Sequence, residues 1–393
     1  MATTPIPYGR QNITEADIAA VTQVLQSDFL TQGPAVRAFE EAFANYVQAT
    51  QAIAVANGTA ALHLCALALE IQPGQKVLTT PITFAASANA VRYAGGEVEF
   101  VDIDPGNLLL DQDKLRDRIA AAPEGTYAGI IPVDFAGYPV NQEALRKIAD
   151  DFGLWVLEDS CHAPGARFRK SDGSWSAAGS GEFADLAIFS FHPVKHIAAG
   201  EGGMVSTRHT ALADRIRLLR THGITKDANL LEENHGGWYY EMLELGYNYR
   251  LSDIQAALGH SQLKRAPEGL QRRNAIAERY HRELKGLPLH LPHTPEGVEH
   301  AWHLYVVQTE DPEHRKPLYD YLREHKIFAQ VHYIPLYRLP YYRRHHPHLR
   351  PEDFPAAEAY YRRCLSLPMY PSLTEEQQSR VIEHIRAFFS QKV

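Results

Sequence analysis

Apolar residues fall along this chain in two alternating rhythms. One has the helical period. In TEADIAAVTQVL, Ile18, Val21 and Leu25 share a face, and Thr14 with Asp17 makes a capping-box-like start. In AVRAFEEAFANYV the same spacing picks out Val36, Phe39, Phe43 and Val47, behind the helix-start signal Gly33-Pro34. TAALHLCALALEI and NQEALRKIADDFG read the same way. The other rhythm is the short, nearly continuous apolar run. Such runs stand at 52–56, 76–80, 97–103, 128–135, 154–160, 184–191 and 202–208. Apolar strands alternating with helices predict the α/β class, with a mostly parallel sheet covered on both faces. The runs at 184–191 and 202–208 are too close for a helical crossover, so that pair is expected to be antiparallel.

From Leu251 the pattern changes. A long helical stretch, LSDIQAALGHSQLKRAPEGLQRRNAIAERYHREL, is interrupted or kinked near Pro267. HLYVVQTE, KPLYDYLREHKI, FAQVHYIP and a final helical TEEQQSRVIEHIRAFF then suggest a smaller α+β unit. The expected division is 1–255, a large domain that includes the N-terminal segment, and 256–393, a small C-terminal domain joined to it through the long helix. A length of 393 residues suits one large domain with a smaller companion.

Composition narrows the function classes. Apolar residues make up 45% and charged ones 22%, an ordinary globular balance. The net charge of −8 and the lack of a basic run argue against nucleic-acid binding. No apolar run approaches the roughly 18–20 residues of a membrane span, and MATTPIPYGRQ does not read as a signal peptide. The three cysteines, Cys65, Cys161 and Cys364, have no metal spacing. Free cysteines suit a reducing cytoplasm, which is the expected compartment. The histidines of YYRRHHPHLR lack an acidic partner and a metal-binding helical spacing, so no metal is expected.

Chemistry gathers at the strand ends, where open α/β sheets form their sites. Gly58 and Thr59 follow the first strand and open a helix, whose free N–H groups suit a phosphate. Phe84 follows the second, positioned to stack on a flat ligand. Asp159 ends an apolar strand, where an unpaired carboxylate would be costly. Glu158 is on the opposite face, which leaves one of the two open to solvation. Ser190 and Lys195 follow the next strand, in SFHPVKHIAAGEGG, and the neighbouring His192 and His196 would disfavour the ammonium form of Lys195. A phosphate seat, a stacking aromatic, a buried carboxylate and an amine nucleophile are the four requirements of pyridoxal 5′-phosphate. The lysine amine would shuttle the substrate proton, which is transamination.

The motifs NGTAALHL, TPITFAASANAV, EDSCHAPGA, SFHPVK, GYNYRLSDIQAALG and VHYIPLYRLPYYR carry a resemblance to the DegT/DnrJ/EryC1/StrS sugar aminotransferases, and it spans nearly the whole chain. It implies the aspartate-aminotransferase fold (fold type I) and a homodimer with active sites at the subunit interface. By motif, Lys195 would be the Schiff-base lysine and Asp159 the partner of the pyridine nitrogen. His162 would lie by the ring, where many relatives have glutamine, and Phe84 would stack on it. Gly58, Thr59 and Ser190 would hold the phosphate, and Asn248 would reach the neighbouring subunit's cofactor. Tyr8, His332 and Tyr333 lie in segments that approach the nucleotide-sugar. SFHPVK, GYNYRLSDIQAA and HYIPLY are most similar to the family's branch in pseudaminic acid biosynthesis. That likeness implies transfer from L-glutamate to C4 of a UDP-linked 4-keto-6-deoxy-hexose. The rival readings are an aminotransferase or dehydratase on another nucleotide-linked keto sugar, and a non-catalytic regulator that binds the cofactor or a sugar nucleotide. Some relatives carry histidine at the lysine position and are dehydratases. Lys195 at that position favours transamination.

Overall fold

The computed structural model describes residues 4–390. Its centre is a seven-stranded sheet. The strands are β1 (Gln51–Val55), β2 (Lys76–Thr79), β3 (Glu97–Phe100), β4 (Tyr127–Ile131), β5 (Trp155–Asp159), β6 (Leu186–Ser190) and β7 (Gly203–Thr207). Their spatial order is β1-β7-β6-β5-β4-β2-β3. All neighbours are parallel except β7, which runs antiparallel to both β1 and β6. The short connection that predicted an antiparallel pair thus has its physical counterpart. A chain that returns after a loop cannot cross over the sheet, and β7 slots back beside β6. The seven apolar runs all form strands because helices cover both faces, leaving no polar face to alternate with.

The first four helices are α1 (Glu15–Leu25), α2 (Pro34–Val47), α3 (Gly58–Ala68) and α4 (Ala85–Tyr93). α2 buries Val36, Phe39, Phe43 and Val47, the predicted face. α1 departs from expectation. Its buried residue is Asp17, whereas Ile18 is 51% and Leu25 56% exposed. Asp17 accepts hydrogen bonds from Ser261 Oγ, Gln262 Nε2 and Arg265 Nη2, so a polar contact docks the helix and turns its apolar face outward. The long C-terminal stretch is two helices, Asp253–Lys264 and Ala266–Leu284, with Arg265 at the break and Pro267 in the first turn of the second.

A second apolar core lies beyond the sheet. It joins Ala266–Leu284, Arg315–Glu324 and Glu375–Ser390 with a three-stranded antiparallel sheet (Leu289–His290, Tyr305–Thr309, Cys364–Leu367). Ile6, from the N-terminal segment, is part of this core. A strap, residues 300–304, connects the two bodies. Ala301 and Leu304 donate backbone hydrogen bonds to the Gly137 and Ala136 carbonyls on the sheet side. On the other side the buried Arg273 donates Nη1 hydrogen bonds to the carbonyls of Trp302, His303 and Met369.

Candidate active site

Strand ends and helix starts converge on one pocket of about 730 Å³. Gly58, Thr59, Phe84, Asp159, His162, Ser190 and Lys195 line it, together with Tyr8, His332 and Tyr333. Asn248 does not. It is exposed outside this pocket, in a backbone bridge with Thr221.

The floor is built by the turn after β1. Asn57 caps α3 with its side chain, accepting from the Ala60 N–H at 2.8 Å, while its carbonyl accepts from Ala61. That leaves the N–H groups of Gly58 and Thr59 at a helix N-terminus for an incoming anion. Ser190 Oγ stands beside them. A Cβ on Gly58 would meet the Ser190 Cβ at 3.0 Å and Oγ at 3.4 Å, so the cradle is filled by backbone alone. Gly203 closes it from behind. A Cβ there would stand 2.4 Å from the Asn57 carbonyl oxygen and 2.9 Å from the Gly58 nitrogen.

Lys195 sits on a loop tied back to its own start. The Ala199 N–H donates to the Phe191 carbonyl, Phe191 N–H to Gly202, and Lys195 N–H to His192. Desolvation pushes the Lys195 amine below the usual lysine range, opposed by the nearby Asp159 carboxylate. The flanking histidines are not the cause. His192 is exposed at the rim, and His196 turns away to hydrogen-bond the Ala301 carbonyl at 2.8 Å.

Asp159 is buried at the end of β5, with Oδ2 accepting from Ser87 Oγ at 2.7 Å and Oδ1 from the Cys161 N–H at 3.2 Å. Neither carboxylate of this pair is solvated: its neighbour Glu158 is 2% exposed and accepts from Ser160 Oγ and the Gly179 N–H. Ser160 Oγ also reaches Asp134 Oδ2. Burial raises both carboxyl groups, Asp134 more strongly with Glu158 beside it, so one proton held between them relieves the repulsion.

His162 is held by an uncommon backbone. Ala136 has φ 60°, the left-handed region that disfavours a Cβ, and its N–H points at His162 Nδ1 from 3.2 Å. An N–H donor at Nδ1 assigns the proton to Nε2, which faces the Tyr333 hydroxyl at 3.3 Å. Burial and the Lys195 charge keep this imidazole well below the usual histidine range. Phe84, the N-cap residue of α4, is 61% exposed, a high value for a phenylalanine and available for a flat ligand at the pocket mouth.

Two residues, one on the pocket wall and one buried behind Asp159, were missed by sequence reasoning. His303 lies on the strap, its ring 4.2 Å from that of His162, and lines the pocket. No local pattern marks it, since the strap folds back from the second core. Ser87 lies one helical turn beyond Phe84 in TFAAS, a spacing that puts both near the sheet mouth and was the available signal.

Comparison with known proteins places the chain in a family. Residues 11–386 match the DegT/DnrJ/EryC1/StrS aminotransferase family. The spore coat polysaccharide biosynthesis protein SpsC of Bacillus subtilis is 39% identical over 386 residues, covering 97% of this chain and 96% of that one. The UDP-4-amino-4,6-dideoxy-N-acetyl-beta-L-altrosamine transaminase of Campylobacter jejuni is 37% identical over 373 residues, covering 94% and 93%. Among solved structures, Spr1654 of Streptococcus pneumoniae, assigned as a sugar aminotransferase and solved in its PMP form, superposes with a TM-score of 0.89. It is 30% identical, with 99% of this chain and 100% of that one covered. The chain belongs to the DegT/DnrJ/EryC1/StrS family of sugar aminotransferases, which work with pyridoxal phosphate.

Proposed function

We propose that this chain, as a homodimer, transfers the amino group of L-glutamate to C4 of a UDP-linked 4-keto-6-deoxy-hexose, in the manner of the UDP-4-amino-4,6-dideoxy-N-acetyl-β-L-altrosamine transaminase of pseudaminic acid biosynthesis. The observation that carries the reading is a desolvated amine, Lys195, sharing a pocket with a buried carboxylate, Asp159, and a helix N-terminus with free N–H groups. In roles, the N–H groups of Gly58 and Thr59 and the hydroxyl of Ser190 hold the cofactor phosphate. Phe84 covers one face of its ring, Asp159 keeps the pyridine nitrogen protonated, and His162 stays neutral at the ring's edge. Pyridoxal phosphate, when bound, supplies an electron sink for the pair left at the substrate carbon. The Lys195 amine, eased toward its neutral form by burial, takes the proton from the Cα of glutamate and returns a proton at C4 of the sugar. Tyr8, His332 and Tyr333 form the wall that meets the sugar.

The dimer reading rests on charge. Apart from Lys195, the pocket wall contains neither lysine nor arginine among the described residues. A dicarboxylate donor needs cations, and a second subunit is the source that the family resemblance implies. Asn248 would approach the neighbouring cofactor in that arrangement. For the sugar, the relatives with different printed roles differ little in identity (39% against 37%), so identity does not choose between them.

The test has two parts. Lys195→Ala is expected to lose the holoenzyme's borohydride-sensitive visible band and all turnover. A Lys195→Ala enzyme that still aminates sugar would sink the assignment. A panel of UDP- and dTDP-linked 4-keto sugars with glutamate then identifies the acceptor. Turnover confined to dTDP sugars would reject the UDP reading, and release of ammonia without an aminated sugar would favour a dehydratase.

A further inference from the structure

Ser87 has no solvent exposure, in the first turn of α4. A buried serine must spend its hydroxyl somewhere. Its Oγ lies 2.7 Å from Asp159 Oδ2 and 3.3 Å from the Phe84 carbonyl. A carboxylate at the shorter distance is the stronger acceptor, so the proton goes to Asp159. A hydroxyl has one proton. The 2.8 Å contact between Thr83 Oγ1 and Ser87 Oγ is therefore donated by Thr83, which is 2% exposed. The chain Thr83 to Ser87 to Asp159 ends on Oδ2. The other oxygen, Oδ1, has the longer 3.2 Å contact from Cys161, and the residue lines the pocket.

We propose that Ser87, backed by Thr83, is a positioning residue that occupies Asp159 Oδ2 and so presents Oδ1 to the cofactor's ring nitrogen. This rests on the assignment of Asp159 made above. The hydroxyl does two things. It fixes the carboxylate's orientation, and it stabilises its charge, so that a proton shared with the ring nitrogen stays on the ring. Losing a hydrogen bond to a charged group is expected to cost about tenfold in cofactor affinity. Deletion of the hydroxyl should also make the carboxylate more basic and draw the shared proton from the ring nitrogen toward Asp159.

The test uses holoenzyme loaded with pyridoxal phosphate carrying nitrogen-15 in the ring. The nitrogen shift is recorded over a pH series, and the cofactor dissociation constant is measured in parallel. Ser87→Ala is expected to raise that constant about tenfold and to displace the ring-nitrogen shift toward its unprotonated value across the pH series. Ser87→Thr, which keeps the hydroxyl, should restore both, and Thr83→Val should fall between. If Ser87→Ala behaves as wild type while Asp159→Asn is impaired, the relay is wrong. If Ser87→Thr is as impaired as Ser87→Ala, the effect is packing and the proposal also fails. If Asp159→Asn itself leaves affinity and shift unchanged, the underlying assignment of Asp159 falls, and the relay with it.

Discussion

Histidines make the site sensitive to acid. His162, His196 and His303 are held well below the usual histidine range by burial, and His300 and His332 are pushed down to about 3 by the same cause. Each stays neutral in the folded chain. Below about pH 6.5 the unfolded chain takes up protons that the folded one refuses, so stability is full above that pH and lost as pH falls beneath it. Asp134 and Glu158 act in the opposite sense, because their raised carboxyls keep protons that the unfolded chain gives up. Five histidines outweigh two carboxyls. Because the carboxyl pair holds one proton between them, unfolding should take up protons in net at about pH 5.5. Denaturation midpoints measured from about pH 7 down to about pH 5.5 should fall steeply, and a flat profile would contradict the neutral cluster. At this scale the sequence was partly legible. Lys195 and Asp159 stand out because charged groups after apolar strands are costly without a purpose. His303 and the Asp134–Glu158 pair do not, since their meaning comes from segments distant in the chain.

The elements explain the small residues around Lys195. The tail GEGG leaves the end of the loop almost bare of side chains. Gly203 begins β7 directly behind the turn that opens α3, and its missing Cβ is the space occupied by the Asn57 carbonyl. Gly203→Ala should push the Asn57–Gly58 turn forward, at a cost of about 1–3 kcal/mol in stability. Cofactor affinity should fall with it. Urea midpoints and a cofactor titration check both, and wild-type affinity in the variant would mean that α3 does not seat the phosphate. The strands were the most readable elements, since a fully covered sheet writes itself as continuous apolar runs. α1 was the least. Its periodicity identifies an apolar face, but periodicity carries no information on whether the same chain covers it. Asp17 with Ser261, Gln262 and Arg265 decides the matter through contacts some 240 residues away.

At the scale of the whole molecule, that uncovered face acquires company. Phe29 is 53% exposed just beyond α1, and the segment 230–245 exposes Trp238 at 75% and Leu245 at 80%. Exposure of large apolar side chains at these positions suits burial against a partner. With the pocket short of cations, it supports association of two copies. Trp238→Asp combined with Leu245→Asp should convert a dimer to monomers in sedimentation and abolish turnover. A double variant that remains dimeric and active would remove this segment from the interface. No helix among the described residues is long and apolar enough to cross a membrane.

The antiparallel strand β7 has a consequence in time. β1 lies at the edge of the sheet, and its ladder partner is β7. Gly203 pairs with Val55, and closing so long a loop, roughly 150 residues, makes the pairing entropically late. During synthesis the turn that opens α3 therefore emerges early but stays unframed until β7 has left the ribosome. Cofactor capture should lag behind formation of the central strands, making its arrival a natural clock for the last stage of folding.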